Sequence, residues 1–104
     1  MMIARWSIDA RFGHKPHVID QIRRWVADIG SRVGWAAESV RLSTGSVGAQ
    51  ESVVLMEVLV EDLTQLHATW EKLGQIEEHR QWSRNLEPHV ISGSPRWEIY
   101  RVIE

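Results

Sequence analysis

Polar and apolar positions alternate from the start of the chain. In "IARWSIDARF", residues 3–12, Ala4, Trp6, Ile8, Ala10 and Phe12 fall on one face, and Ile3, Arg5, Ser7, Asp9 and Arg11 on the other. A period of two predicts a β-strand with one strongly apolar side. "GHKP" interrupts the pattern, and Pro16 suits the first turn of a helix, where no backbone N–H is required. Val18, Ile19, Ile22, Trp25, Val26, Ile29 and Val33 then recur at three- and four-residue spacing. They predict an amphipathic helix over residues 16–32, ended by Gly30 and Gly34. A second strand is expected over 37–44, with Val40 and Leu42 on one face, followed by "TGSVGAQ", a loop too long for a tight hairpin. Residues 52–60, "SVVLMEVLV", are apolar on both faces except at Glu57. Such a strand belongs in the middle of its sheet.

Asp62 offers a helix N-cap, and Gln65 three residues later completes a capping-box pattern. Leu63, Leu66, Trp70 and Leu73 form the apolar stripe of a short helix that stops at Gly74. A further helix is expected over 75–86, ended by Pro88. "SGSP" is a turn, and "RWEIYRVI" closes the chain as a strand. The order is β-α-β-β-α-(α)-β. It predicts an α+β fold: a four-stranded antiparallel sheet with helices on one face, the ferredoxin-like arrangement, with the first and third strands in the middle. A length of 104 residues predicts one domain over 1–104.

That topology leaves one sheet face uncovered. It carries Arg5, Ser7, Asp9 and Arg11 beside either Val53, Leu55, Glu57 and Leu59 or Val54, Met56, Val58 and Val60. Both sets are too apolar to leave in water, and the neighbouring charges are mixed in sign, so this face is expected to meet its twin in a second subunit.

Composition narrows the function classes. The net charge of −2, with no basic block, argues against nucleic-acid binding. Without cysteine there is no thiol nucleophile, disulfide or Cys-type zinc site, and the chain fits a cytoplasmic protein. The N-terminus lacks the apolar core of a signal peptide, and no apolar run is long enough to span a membrane. Six tryptophans against one Phe and one Tyr is an unusual balance. A core this small does not readily bury six indoles, each with an N–H to satisfy, so some are expected at a pocket or a subunit interface.

The element order, the length near a hundred residues and the half-apolar open sheet face resemble the dimeric α+β barrel superfamily. That group includes antibiotic-biosynthesis-monooxygenase-like and NIPSNAP-like proteins. The closing "GSPRWEIYRVI" strand and the His- and Trp-bearing helix before it look most like the second. The resemblance implies a homodimer whose sheets face each other, with a ligand cleft between sheet and helices in each subunit. In the monooxygenase-like branch, oxygenation can proceed without a cofactor, served by an Asn, a Trp and a His. Trp6, Trp82 and His79 are loose analogues here. Asn85, the only asparagine, falls on a helix rather than on the first strand, a departure that weighs against oxygenase chemistry, haem degradation included.

The chain's own candidate chemistry centres on "EEHRQWSRNLEPHV". On a helix, Ile76, His79, Trp82, Ser83 and Leu86 share one side, so His79 lies within the apolar stripe and away from the charges. A neutral imidazole there can act as general base or hydrogen-bond donor to a ligand; the plainer reading is a buried histidine satisfied by the protein itself. His67, between Leu63 and Trp70, repeats the pattern more weakly. His14 and His17 form an H-x-x-H that needs a third ligand to hold a metal, and they read as exposed histidines. His89 has no visible partner. Arg5, Asp9 and Arg11 are expected to form salt bridges with Glu57, Glu98 or a partner subunit. No G-x-S-x-G is present, and "GSVGAQ" lacks the Lys-Ser/Thr of a phosphate loop.

The sequence is therefore read first as a homodimer, pairing through the open sheet face, that binds an apolar or aromatic small molecule in a cleft between sheet and helices. Trp6, Met56, His79 and Trp82 would line the cleft, with His67 as a weaker addition. No metal or cofactor is implied. The alternatives are a cofactor-independent monooxygenase-like or isomerase-like enzyme with His79 as general base, and a dimer with a structural or interaction role.

Overall fold

A computed structural model describes residues 1–104. The alternating N-terminal segment forms strand β1, Met2–Asp9. Helix α1, Lys15–Asp28, follows with Pro16 in its first turn, and Val18, Ile22, Trp25 and Val26 are its buried stripe. A 3-10 turn, Gly30–Val33, ends this segment at Gly34. Strand β2 is Val40–Thr44, and strand β3 is Val53–Val60. Helix α2, Leu63–Gly74, is capped as its sequence predicts: the Asp62 carboxylate accepts from the Gln65 backbone N–H. The Gln65 side chain reaches back to the Glu61 N–H, one residue before the cap. Helix α3, Glu77–Leu86, runs into a 3-10 turn at Glu87–His89, and strand β4, Arg96–Arg101, closes the fold.

The sheet is antiparallel throughout, in the order β2-β3-β1-β4, so the first and third strands are central. Trp6 pairs with Met56 on one side and Trp97 on the other. Because side chains alternate across the pleat, this register puts Ala4, Trp6, Ile8, Val54, Met56, Val58, Val60 and Trp97 on the face that the helices cover. Ala4, Ile8, Val54, Met56, Val58 and Val60 are all buried there. The choice left open by the sequence is thereby decided: Val53, Leu55, Glu57 and Leu59 are on the uncovered face, with Leu59 exposed.

Two expectations are corrected. The alternation extends the apolar face of β1 to Phe12, but the strand stops at Asp9 and Phe12 is fully exposed. The backbone leaves the ladder because Ala10 bridges Val90 and the Arg11 N–H donates to the His89 carbonyl. Phe12 then occupies a turn closed by His14 N–H to Arg11 O, with Gly13 at φ +84° supplying the left-handed third residue. The salt bridges expected of Asp9 and Arg11 also do not form within the chain. Arg11 Nε donates to the Val90 carbonyl, and the Asp9 backbone N–H donates to Ser94 Oγ. Arg5 does pair with Glu57, at 3.2 Å, and its guanidinium lies 4.9 Å from the centre of the Tyr100 ring.

Candidate functional site

The helices do not fill the space above the covered sheet face. Between Trp6, Met56 and Trp97 on the sheet and the inner sides of α1, α2 and α3 lies a cavity of about 420 Å³. Five of the six tryptophans line it: Trp6, Trp25, Trp70, Trp82 and Trp97. Its size is that of a pocket for a small organic molecule. No lysine or arginine lines it, and its only acidic residue is Glu87, which is exposed.

Packing between α1 and α3 fixes the polar atoms of the wall. Two indole N–H bonds run between these helices in opposite directions. Trp82 Nε1 on α3 donates to the Gln21 carbonyl on α1 at 2.8 Å, and Trp25 Nε1 on α1 donates to His79 Nδ1 on α3 at 3.0 Å. Trp25 meets His79 edge to face at 6.0 Å, and Trp82 stacks on His79 with only 14° between the planes. At the exposed end of the same junction, Arg32 and Glu78 pair at 2.8 Å. The hydrogen bond from Arg32 holds the Glu78 carboxyl below its ordinary pKa.

The Trp25 bond decides the chemistry of His79. An indole N–H donates only, so Nδ1 must accept with its lone pair, and the neutral ring carries its proton on Nε2. Burial pushes the pKa of this imidazole down, which favours that neutral form. Nε2 has no partner in the chain and is not sealed from solvent. His79 therefore presents an N–H to the exterior of the Trp25–His79 pair; the lone pair that a general base would use is already engaged. Among the other ring donors, Trp70 Nε1 is buried with no acceptor; the Trp70 ring meets those of His67 and Trp97 edge to face, with centres 5.4 and 5.5 Å away.

Of the residues singled out from sequence, Trp6, Met56, His79 and Trp82 line the one cavity. His67 does not: it is exposed on α2 and touches the site only through Trp70. Trp25, Trp70 and Trp97 were not singled out as site residues. Trp25 and Trp70 sat in the apolar stripes of their helices and read as core; only the excess of tryptophan over other aromatics hinted at more.

The histidines at the other end of the molecule come together unexpectedly. His14 Nδ1 and His89 Nδ1 are 2.9 Å apart, and the His17 ring lies 4.0 Å from that of His89. His89 thus has two partners rather than none. Its own burial and the charges of His17 and His14 push its pKa down. His89 is the third imidazole that the H-x-x-H pair lacked, but two of the Nδ1 atoms face each other in a hydrogen bond. No group of three or more His, Asp or Glu side chains is arranged to hold a metal ion.

No family model matches the sequence, and no curated protein matches it. Solved structures do. A NIPSNAP-family protein from Agrobacterium tumefaciens superposes with a TM-score of 0.78 at 15% identity, over 100% of this chain and 95% of that one. An uncharacterised NIPSNAP-domain protein from Burkholderia xenovorans gives 0.75 at 12%, over 99% and 95%. A proposed antibiotic biosynthesis monooxygenase from Nitrosomonas europaea gives 0.67 at 7%, over 100% of both chains. The chain shares the ferredoxin-like α+β fold of these proteins. At such identities the likeness concerns fold alone, and a fold of this kind hosts many unrelated activities. No helix is long and apolar enough to cross a membrane.

Proposed function

We propose that residues 1–104 act as one unit that binds an apolar or aromatic small molecule in the cavity between sheet and helices, and that two such units pair through their open sheet faces. The observation that carries the ligand reading is the tryptophan-lined cavity of about 420 Å³ with a single imidazole in its wall. Water in a cleft lined mainly by large apolar side chains finds few hydrogen-bond partners over most of the wall. An apolar occupant displaces that water and gains dispersion contacts with the wall.

Pairing is supported by the uncovered face. Ile3, Leu55, Leu59 and Tyr100 stand there around the Arg5–Glu57 pair, and Leu59 and Tyr100 are exposed. Burying such a face against its twin removes apolar area from water while the charges keep partners. The lack of cysteine supports a cytoplasmic setting.

Native mass spectrometry of gently purified protein tests both parts. The expected species has twice the 12.0 kDa chain mass, plus an added mass that disappears on denaturation. A species at the single-chain mass overturns the pairing, and failure of every apolar aromatic probe to bind overturns the ligand reading. A catalytic role with His79 as general base is the weaker reading, because Nδ1 already accepts from Trp25.

A further inference from the structure

The donors and acceptors of the cavity wall are unequally represented, and the imbalance specifies what the occupant must offer. His79 Nε2–H, Trp6 Nε1–H and Trp97 Nε1–H belong to lining residues, find no acceptor in the chain and are not sealed from solvent. The side-chain acceptors among the lining residues are Ser83 and Glu87, both on exposed positions. No cation lines the cavity, so an anion entering it would lose hydration without gaining a counter-charge.

We propose that the cavity selects an uncharged aromatic carbonyl compound, whose oxygen accepts a hydrogen bond from His79 Nε2–H while its ring system packs against the tryptophans. The specificity-determining feature is the Trp25–His79 pair: by occupying Nδ1, Trp25 fixes the proton on Nε2 and makes the imidazole a donor. A site built to donate rejects an isostere that cannot accept, because its own N–H is then left unpaired on binding. This inference rests on the ligand-binding reading above and adds the chemical class.

Three probes of one shape separate the possibilities by isothermal titration calorimetry: 2-acetylnaphthalene, 2-ethylnaphthalene and 2-naphthoate. The acetyl compound is expected to bind about tenfold more tightly than the ethyl compound, the worth of one well-placed hydrogen bond, although the ethyl compound is the more apolar. Naphthoate is expected to bind most weakly. In H79F the preference for the acetyl compound should disappear. The double variant W25F/H79F, in which no indole N–H is stranded, keeps the comparison readable if H79F alone does not fold. Equal or tighter binding of 2-ethylnaphthalene by the wild-type chain overturns the carbonyl inference while leaving apolar ligand binding intact. So does a preference for naphthoate. Binding of none of the three removes the ligand reading and the inference with it.

Discussion

Replacing Trp25 by Phe isolates the contact on which the chemistry of the cavity wall depends. Phe keeps an aromatic ring in a position that is only 4% exposed, but it has no N–H to give His79. A neutral intramolecular hydrogen bond contributes about 1 kcal/mol net. Shrinking indole to phenyl forfeits roughly 40 Å² of buried apolar area, or about 1 kcal/mol. The expected loss is therefore about 2 kcal/mol, a substantial part of the 5–15 kcal/mol typical of a domain. In urea, with a slope of roughly 2 kcal/mol per molar, the midpoint should fall by about 1 M. The double-mutant cycle with H79F separates the two contributions, since the packing lost with the indole appears in both legs and cancels, leaving the coupling through the hydrogen bond. A coupling energy of about 1 kcal/mol is expected, and a coupling below about 0.3 kcal/mol would refute the assignment. NMR titration gives an independent reading. In the wild type His79 must break the Trp25 bond to accept a proton at Nδ1, so W25F should raise its titration midpoint. An unchanged midpoint would mean that the bond does not hold the tautomer.

Acid should destabilise the fold in two steps. His79 and His89 have folded pKa values below the ordinary 6.5, so below that pH the unfolded chain binds more protons and stability is lost. Glu78 is held below 4.5 by Arg32, and its contribution goes only as pH falls beneath that value. Urea midpoints at pH 7.5, 5.5 and 3.5 test this, and equal midpoints at the first two would contradict it. Gly30→Ala should cost about 1–3 kcal/mol through overpacking, because a Cβ there would sit 2.6 Å from the Trp35 carbonyl oxygen and 2.9 Å from Trp25 Cζ3; a thermal melt matching wild type would show that the segment yields. Leu59→Arg, at a residue 59% exposed, should leave the melting profile within about 0.5 kcal/mol of wild type and abolish the proposed pairing, giving a monomer in light scattering where wild type gives a dimer. A variant as dimeric as wild type would place the interface elsewhere.

The fold was legible because its signals are local. The period-two run at β1, the doubly apolar β3 and the Asp62–Gln65 cap each follow from spacing within a few residues, and element order then limits the sheet to one arrangement. Phe12 shows the limit: alternation continues through it, yet a strand lasts only as long as its neighbours supply hydrogen bonds, and β3 begins at Val53 opposite Asp9. The cavity was half legible. The stripe of α3 located His79 and Trp82, but helical spacing cannot say which atom of another helix will meet them. Trp25 lies 54 residues from His79 in sequence, and the donor that fixes the imidazole tautomer was invisible until the two helices were packed. The His14–His89 contact, 75 residues apart, was hidden for the same reason.

The six indoles also form one unbroken chain: Trp6, Trp82, Trp25, Trp35, Trp97 and Trp70, with successive ring centres 5.5–6.3 Å apart. At such separations electronic excitation migrates between rings faster than any one of them emits. The protein is therefore expected to fluoresce as a single antenna, with a quencher lodged against any one ring draining light absorbed by all six. Occupancy of the cavity should accordingly dim the whole emission, and replacing any one tryptophan at the end of the chain should leave that response in place.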